Sequence, residues 1–79
     1  MKYVIGIVRN SSAEHVFIFP RTINHNDFAK FMRIHEVRSA GFFSLDDAGE
    51  MHCYGKSESL NVPSRPQDTE LVKKEMNRY

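Results

Sequence analysis

The chain has 79 residues, eleven Lys/Arg against ten Asp/Glu for a net charge of +1, and a single cysteine, Cys53. One small domain follows, with no internal disulfide, no zinc-type Cys/His spacing and none of the basic excess of a general nucleic-acid binder. A domain this short buries only about 60% of the surface its unfolded chain exposes, so association into a homo-oligomer is expected to supplement the core.

The charge is uneven. Residues 1–44 hold six Lys/Arg (Lys2, Arg9, Arg21, Lys30, Arg33, Arg38) against three acids, and the remainder holds seven acids against five bases. A mildly basic half can face an anionic ligand, and scattered surface charge explains it equally well. No apolar run approaches the ~20 residues of a membrane span, and Lys2–Val8 is too short for a signal-peptide core. With the lone thiol, these features lead us to expect a cytoplasmic protein without a membrane partner.

In chain order, Tyr3–Val8 is rich in β-branched residues and reads as a strand. Its near-continuous apolar character predicts burial on both faces and a central position. Residues 9–14 are turn material, and His15–Phe19 is a second strand stopped by Pro20, giving an antiparallel hairpin. Asn24 or Asn26 caps a helix with Asp27 in its first turn. Phe28, Phe31, Met32 and His35 recur at helical spacing and mark its expected buried face. Strand returns from Val37 to Leu45, with Ala40-Gly41 allowing a bulge or a close backbone approach. Asp46-Asp47-Ala48-Gly49 is a hairpin turn, and Glu50–Tyr54 is the fourth strand, in which Met51 and Cys53 alternate with His52 and Tyr54.

A polar loop of small residues then leads into a second helix. Ser64 and Gln67 have the spacing of a capping box, Pro66 lies in the first turn, and Asp68 and Glu70 suit the helix dipole. Leu71, Val72, Met76 and Tyr79 give the helix its apolar face. The order ββαββα predicts an α+β fold: one antiparallel or mixed four-stranded sheet with both helices on one face.

Four histidines raise an enzyme reading, but none has the paired His-x-Thr/Ser pattern of a small phosphodiesterase. His15 is followed by Val-Phe and His52 by Cys-Tyr. Cys53 falls on the core side of its strand, where a thiol is inert. No nucleophile–base constellation emerges and no cofactor is implied.

A binding site is easier to assemble. Arg38, Lys56 and Arg65 supply charge-assisted donors to phosphate, with Ser39, Ser57, Ser59 and Ser64 as hydroxyl partners. Phe43 or Tyr54 can stack on a base. Pairing of the third and fourth strands is expected to bring Arg38 and Ser39 near Lys56 and Ser57. The serine-rich loop between Lys56 and Arg65 makes a plausible phosphate cradle; equally, Ser64 and Gln67 only cap and the two cations are solvated.

Ser39-Ala-Gly-Phe42, Cys53-Tyr-Gly-Lys-Ser-Glu-Ser-Leu60 and Ser64-Arg-Pro, with Asp68 and Leu71, resemble a pattern in small bacteriophage and prophage proteins. The resemblance covers the second half of the chain. Among such proteins are the anti-defence "sponges", compact homo-oligomers that sequester nucleotide signals of bacterial immunity, such as cyclic ADP-ribose-type molecules or cyclic dinucleotides. The resemblance implies a pocket, often between subunits, with Arg, Lys and Ser on phosphates and an aromatic on the base. Lys56, Ser57, Ser59 and Arg65 match those roles by residue type. Two other readings stand beside it: a direct protein inhibitor of a host enzyme acting through a strand edge or sheet face, and a small phosphodiesterase using His15 or His52.

Overall fold

The computed structural model describes residues 1–78. Its elements are β1 (Lys2–Val8), β2 (His15–Phe19), α1 (His25–Phe31), β3 (Ile34–Leu45), β4 (Met51–Tyr54), β5 (Lys56–Ser57), β6 (Val62–Pro63) and α2 (Asp68–Met76). Four strands form one antiparallel sheet in the order β2-β1-β3-β4, and β5 and β6 make a separate small hairpin. The fold class is α+β, as expected, with the extra hairpin inserted before α2.

Both hairpins form where turn chemistry places them. Asp46 Oδ1 accepts from the backbone N–H of Ala48 (2.9 Å) and Glu50 (2.8 Å). Gly49 takes φ +83°, a conformation glycine adopts without a Cβ penalty. Asn24 caps α1, its side chain accepting from the N–H of Asn26 (2.8 Å) and Asp27 (3.3 Å).

The helices do not share a face. In β1, Tyr3 and Ile5 point one way and Val4 the other. Tyr3, Ile5, Phe43 and Met51 form a core with Val72 and Leu71 of α2, whereas Val4, Phe19 and Ala40 pack with Phe28 of α1. The sheet is therefore sandwiched between the two helices, correcting the arrangement expected above. The physical reason lies in β1 itself: Tyr3, Val4 and Ile5 are all fully buried, and a strand apolar on both faces needs a layer over each.

Three local expectations are also corrected. The helix that was to include His35 stops at Phe31. Arg33 leaves it at φ +55°, and His35 lies exposed in β3. Its buried residues are His25 and Ala29, one turn apart, while Phe31 is 83% exposed. The Ser64–Gln67 capping box does not form: Ser64 Oγ donates to Gly55 O (2.8 Å), and Gln67 makes no capping hydrogen bond. Ahead of the helix, Asp68 Oδ2 accepts from the Arg65 N–H at 2.9 Å. Of the apolar face proposed for α2, Val72 is buried, Leu71 half-buried and Met76 exposed, and Tyr79 lies outside the described residues.

The bulge sits at Arg38 rather than at Ala40-Gly41, since Ile5 pairs with Ser39 and Gly6 with Val37, leaving Arg38 over. Gly41 provides the close approach instead. A Cβ there would stand 2.6 Å from the Tyr54 carbonyl oxygen.

Candidate functional site

The register of the sheet aligns Phe19, Lys2, Phe42 and Tyr54 across all four strands. Residues directly opposite in antiparallel strands share a face, so this row lies on the α1 side. The Phe42 and Tyr54 rings stack at 5.8 Å with an interplanar angle of 25°, and Lys2 Nζ stands 5.9 Å from the Phe42 centroid. His25 meets the same ring edge-on at 5.5 Å.

Beside this row lies an open cleft of about 460 Å³, lined by Lys2, Asn24, His25, Phe42, Tyr54, Gly55, Lys56, Glu58 and Ser59. Gly55, at φ +75°, turns the chain out of β4 so that the β5–β6 hairpin folds back over the end of the sheet. The hairpin is held by Ser57 Oγ, which accepts from Leu60 N–H (3.1 Å), and by Ser59 Oγ, which accepts from Asn26 N–H (3.1 Å) at the start of α1.

Lys2 Nζ donates to Ile23 O at 2.8 Å, which fixes one cation at the mouth. Lys56 and Glu58 are exposed, so the cleft carries two positive charges against one negative. His25 is buried, with Nε2 2.9 Å from Gly41 O. A carbonyl only accepts, so Nε2 carries the proton. Burial, reinforced by Lys2, holds the ring's pKa below the ordinary histidine value, so it is a neutral wall of the cleft. The cleft thus offers a flat aromatic surface on Tyr54, two ammonium groups, and the polar side chains of Asn24 and Ser59.

Of the nine residues singled out in the sequence, Tyr54, Lys56 and Ser59 meet here. The other six lie elsewhere. Arg38 is exposed and pairs with Glu36 at 2.6 Å. Ser39 is fully buried, and its hydroxyl has no hydrogen-bond partner among the described residues. Phe43 is core on the opposite face, 6.5 Å from the Tyr3 ring. Ser57 is a fully buried residue of the β5–β6 hairpin itself, and Ser64 is tied to Gly55.

Arg65 is occupied by protein carboxylates. Its Nε donates to Asp68 Oδ1 (3.0 Å), and its two terminal nitrogens donate to Glu14 (3.2 and 3.3 Å). Those bonds, Glu14 foremost, raise its pKa further. Asp68 is fully buried and also accepts from the Tyr3 hydroxyl at 2.6 Å. Arg65 therefore anchors α2 to the sheet and to the β1–β2 turn. The β3–β4 ladder that was to bring Arg38 toward Lys56 ends at the Phe42–Tyr54 pair, four residues short of Arg38, whose partner is Glu36.

Sequence reasoning missed Lys2, Asn24, His25 and Phe42 as lining residues. Phe42 closes the Ser39–Phe42 motif, and Asn24 was read only as a cap. Lys2 and Phe42 become neighbours only through the β1–β3 register, which carries no local signal.

His15 and His52 lie on β2 and β4, the two opposite border strands of the sheet. His15 contacts Ser11 Oγ (3.1 Å) and His52 contacts Asp46 Oδ2 (3.1 Å), both at the surface. Burial pushes the Cys53 thiol up. Among the described residues no group of three or more His, Cys, Asp or Glu is placed to hold a metal ion, and no helix is long and apolar enough to cross a membrane. Comparison of the chain with protein families, curated proteins and solved structures gives no match.

Proposed function

We propose that the protein is a non-catalytic binder of a phosphate-bearing nucleotide ligand, seated in the cleft between Tyr54, Lys2 and Lys56. The observation that carries this reading is the Phe42–Tyr54 stack in one cleft with Lys2 and Lys56. An aromatic face accepts any base, and ammonium groups accept the phosphate charge. Sequestration of an immune signal, the role implied by the phage-protein resemblance, needs affinity alone, and the cleft has no paired general acid and base that would turn the ligand over. Membership of that class and homo-oligomeric assembly are part of this proposal.

Isothermal titration of the full chain against linear and cyclic adenine nucleotides tests it, with native mass spectrometry reading the bound mass. Stacking on an aromatic is worth about 1–3 kcal/mol per base, so Tyr54→Ala is expected to weaken binding roughly tenfold while the chain stays folded by circular dichroism, with a melt lowered only by the lost Phe42 stack. Lys56→Ala is expected to weaken binding and reduce its salt dependence. Equal affinity in Tyr54→Ala would remove the cleft from consideration, and a ligand recovered with altered mass would make the protein an enzyme.

A further inference from the structure

We propose that the cleft where the β1–β2 turn meets the turn from α1 into β3 is a binding site for a phosphate dianion, held between the guanidinium groups of Arg9 and Arg33. The register of the sheet brings the two together. The last pair of the β1–β3 ladder is Val8 with Ile34. Arg9 follows the first of these and Arg33 precedes the second. Continuation of an antiparallel ladder sets those two positions opposite each other, and like charges so placed repel.

No carboxylate of the chain relieves that repulsion. Arg38, Arg65 and Arg78 each have an acidic partner, whereas neither Arg9 nor Arg33 has one among the described residues. The acids nearest to them in the chain are already engaged, Glu14 by Arg65 and Glu36 by Arg38. Between the two turns lies an open cleft of about 610 Å³, lined by Arg9, Asn10, Arg33 and His35 among others, and by no acid.

The backbone is bent at this cleft in three places. Asn10 and Arg33 take φ +69° and +55°. Asparagine adopts that conformation readily, but the position just past a helix end is ordinarily given to glycine. Arg33 holds it at a steric cost, and its guanidinium makes no hydrogen bond among the described residues that would offset it. A register shift between the Ile7–Glu36 and Val8–Ile34 pairs leaves His35 over, and a bulge of this kind re-aims a side chain. The imidazole carries at least one N–H in either charge state, and the Asn10 amide adds two more donors.

This donor set selects the ligand. A guanidinium fork binds two oxygens of one group at once. Two forks that face each other offer two positive charges and several parallel donors, which suits a phosphate with two negative charges better than a carboxylate with one. The site stands at the Val8 end of β1 and the Tyr54 cleft at the Lys2 end, roughly 20 Å away at ~3.4 Å per residue. It therefore does not rest on the nucleotide reading.

Titration of the 15N-labelled full chain with sodium phosphate at low salt, followed by amide chemical shifts, tests the proposal. Saturable shifts are expected at residues 9–11 and 33–35, with a Kd of about 1 mM or tighter. Arg33→Gly suits the positive φ, so the fold persists by circular dichroism while affinity falls at least tenfold, and Arg9→Gln has the same effect on affinity. Arg21→Gln changes an exposed arginine outside the cleft and leaves affinity as it was. A parallel titration with glycerol 2-phosphate identifies the source of the phosphate. Tighter binding than the inorganic ion assigns the site to phosphate monoesters, and binding no tighter assigns it to the free ion. Absence of saturation by about 20 mM phosphate, shifts confined to the surroundings of Lys2 and Lys56, or undiminished affinity in either cleft variant would overturn the proposal. So would a loss in Arg21→Gln equal to theirs, since diffuse surface charge would then account for the binding.

Discussion

Replacing Tyr3 by Phe removes one oxygen atom and tests how the two ends of the chain are joined. The Tyr3 hydroxyl donates to Asp68 Oδ2 at 2.6 Å across 65 residues of sequence, and both side chains are fully buried. Burial first, and then the bond to Asp68, push the phenol pKa far upward, so the hydroxyl stays a donor at any pH the fold survives. In Tyr3→Phe, Asp68 keeps the Arg65 N–H and Nε but loses its shortest partner. A hydrogen bond to a charged group is worth about 1.5–3 kcal/mol, and the ring itself keeps its packing, so the expected loss is about 2 kcal/mol. A chain of this length has roughly 4–12 kcal/mol in total, and the melting temperature should fall by about 8–16 °C. Urea and thermal melts at pH 7, followed by circular dichroism, measure both. A double-mutant cycle with Asp68→Asn should return a coupling above about 1 kcal/mol. Loss of less than about 0.5 kcal/mol in Tyr3→Phe would refute the account of this network.

Arg65→Ala separates a structural from a ligand-binding arginine. Because fully buried Asp68 loses its cation, the removal should cost at least about 3 kcal/mol in urea melts and leave nucleotide affinity unchanged; intact stability with lost binding would return Arg65 to the site. His25 gives an acid-side dependence. Its folded pKa lies below the ordinary 6.5, so above that pH both states are neutral, and below it the unfolded chain protonates first. Stability is therefore lost as pH falls from 6.5 toward the lower folded value. His25→Gln keeps a donor for Gly41 O without titrating, and urea midpoints at pH values on either side of 6.5 should show a shallower loss; equal slopes would rule the ring out as the cause.

Local chemistry was the legible part of the sequence. The Asp46–Gly49 turn, the Asn24 cap and both hairpins need only neighbours in the chain, and all are found. Alternation also put Cys53 on the Met51 side of β4, against the core. What failed depended on competition or on distance. Ser64, which as a cap would have accepted from a backbone N–H, instead donates to the Gly55 carbonyl nine residues back, and Asp68 Oδ2 accepts from the Arg65 N–H. The continuous apolar run of β1 already required cover on both faces, which two helices on one side cannot provide. Of the site, Tyr54, Lys56 and Ser59 stand close in sequence and were recognisable by type. Lys2 and Phe42 are 40 positions apart in the chain, and only the finished ladder joins them.

The central place of β1 has a kinetic consequence. β1 precedes both of the strands that pair with it, β2 and β3, and its Tyr3 waits for Asp68, 65 positions later. The β1–β2 hairpin can close early over a short loop, but its other edge stays open until residue 42 is free to pair with Lys2. Long loops must therefore close before the main core forms, which slows folding relative to helical chains of equal length. A nascent chain halted before residue 68 holds the whole sheet sequence but lacks the acceptor for its buried phenol, so the Tyr3–Asp68 contact becomes available only once residue 68 is free to fold.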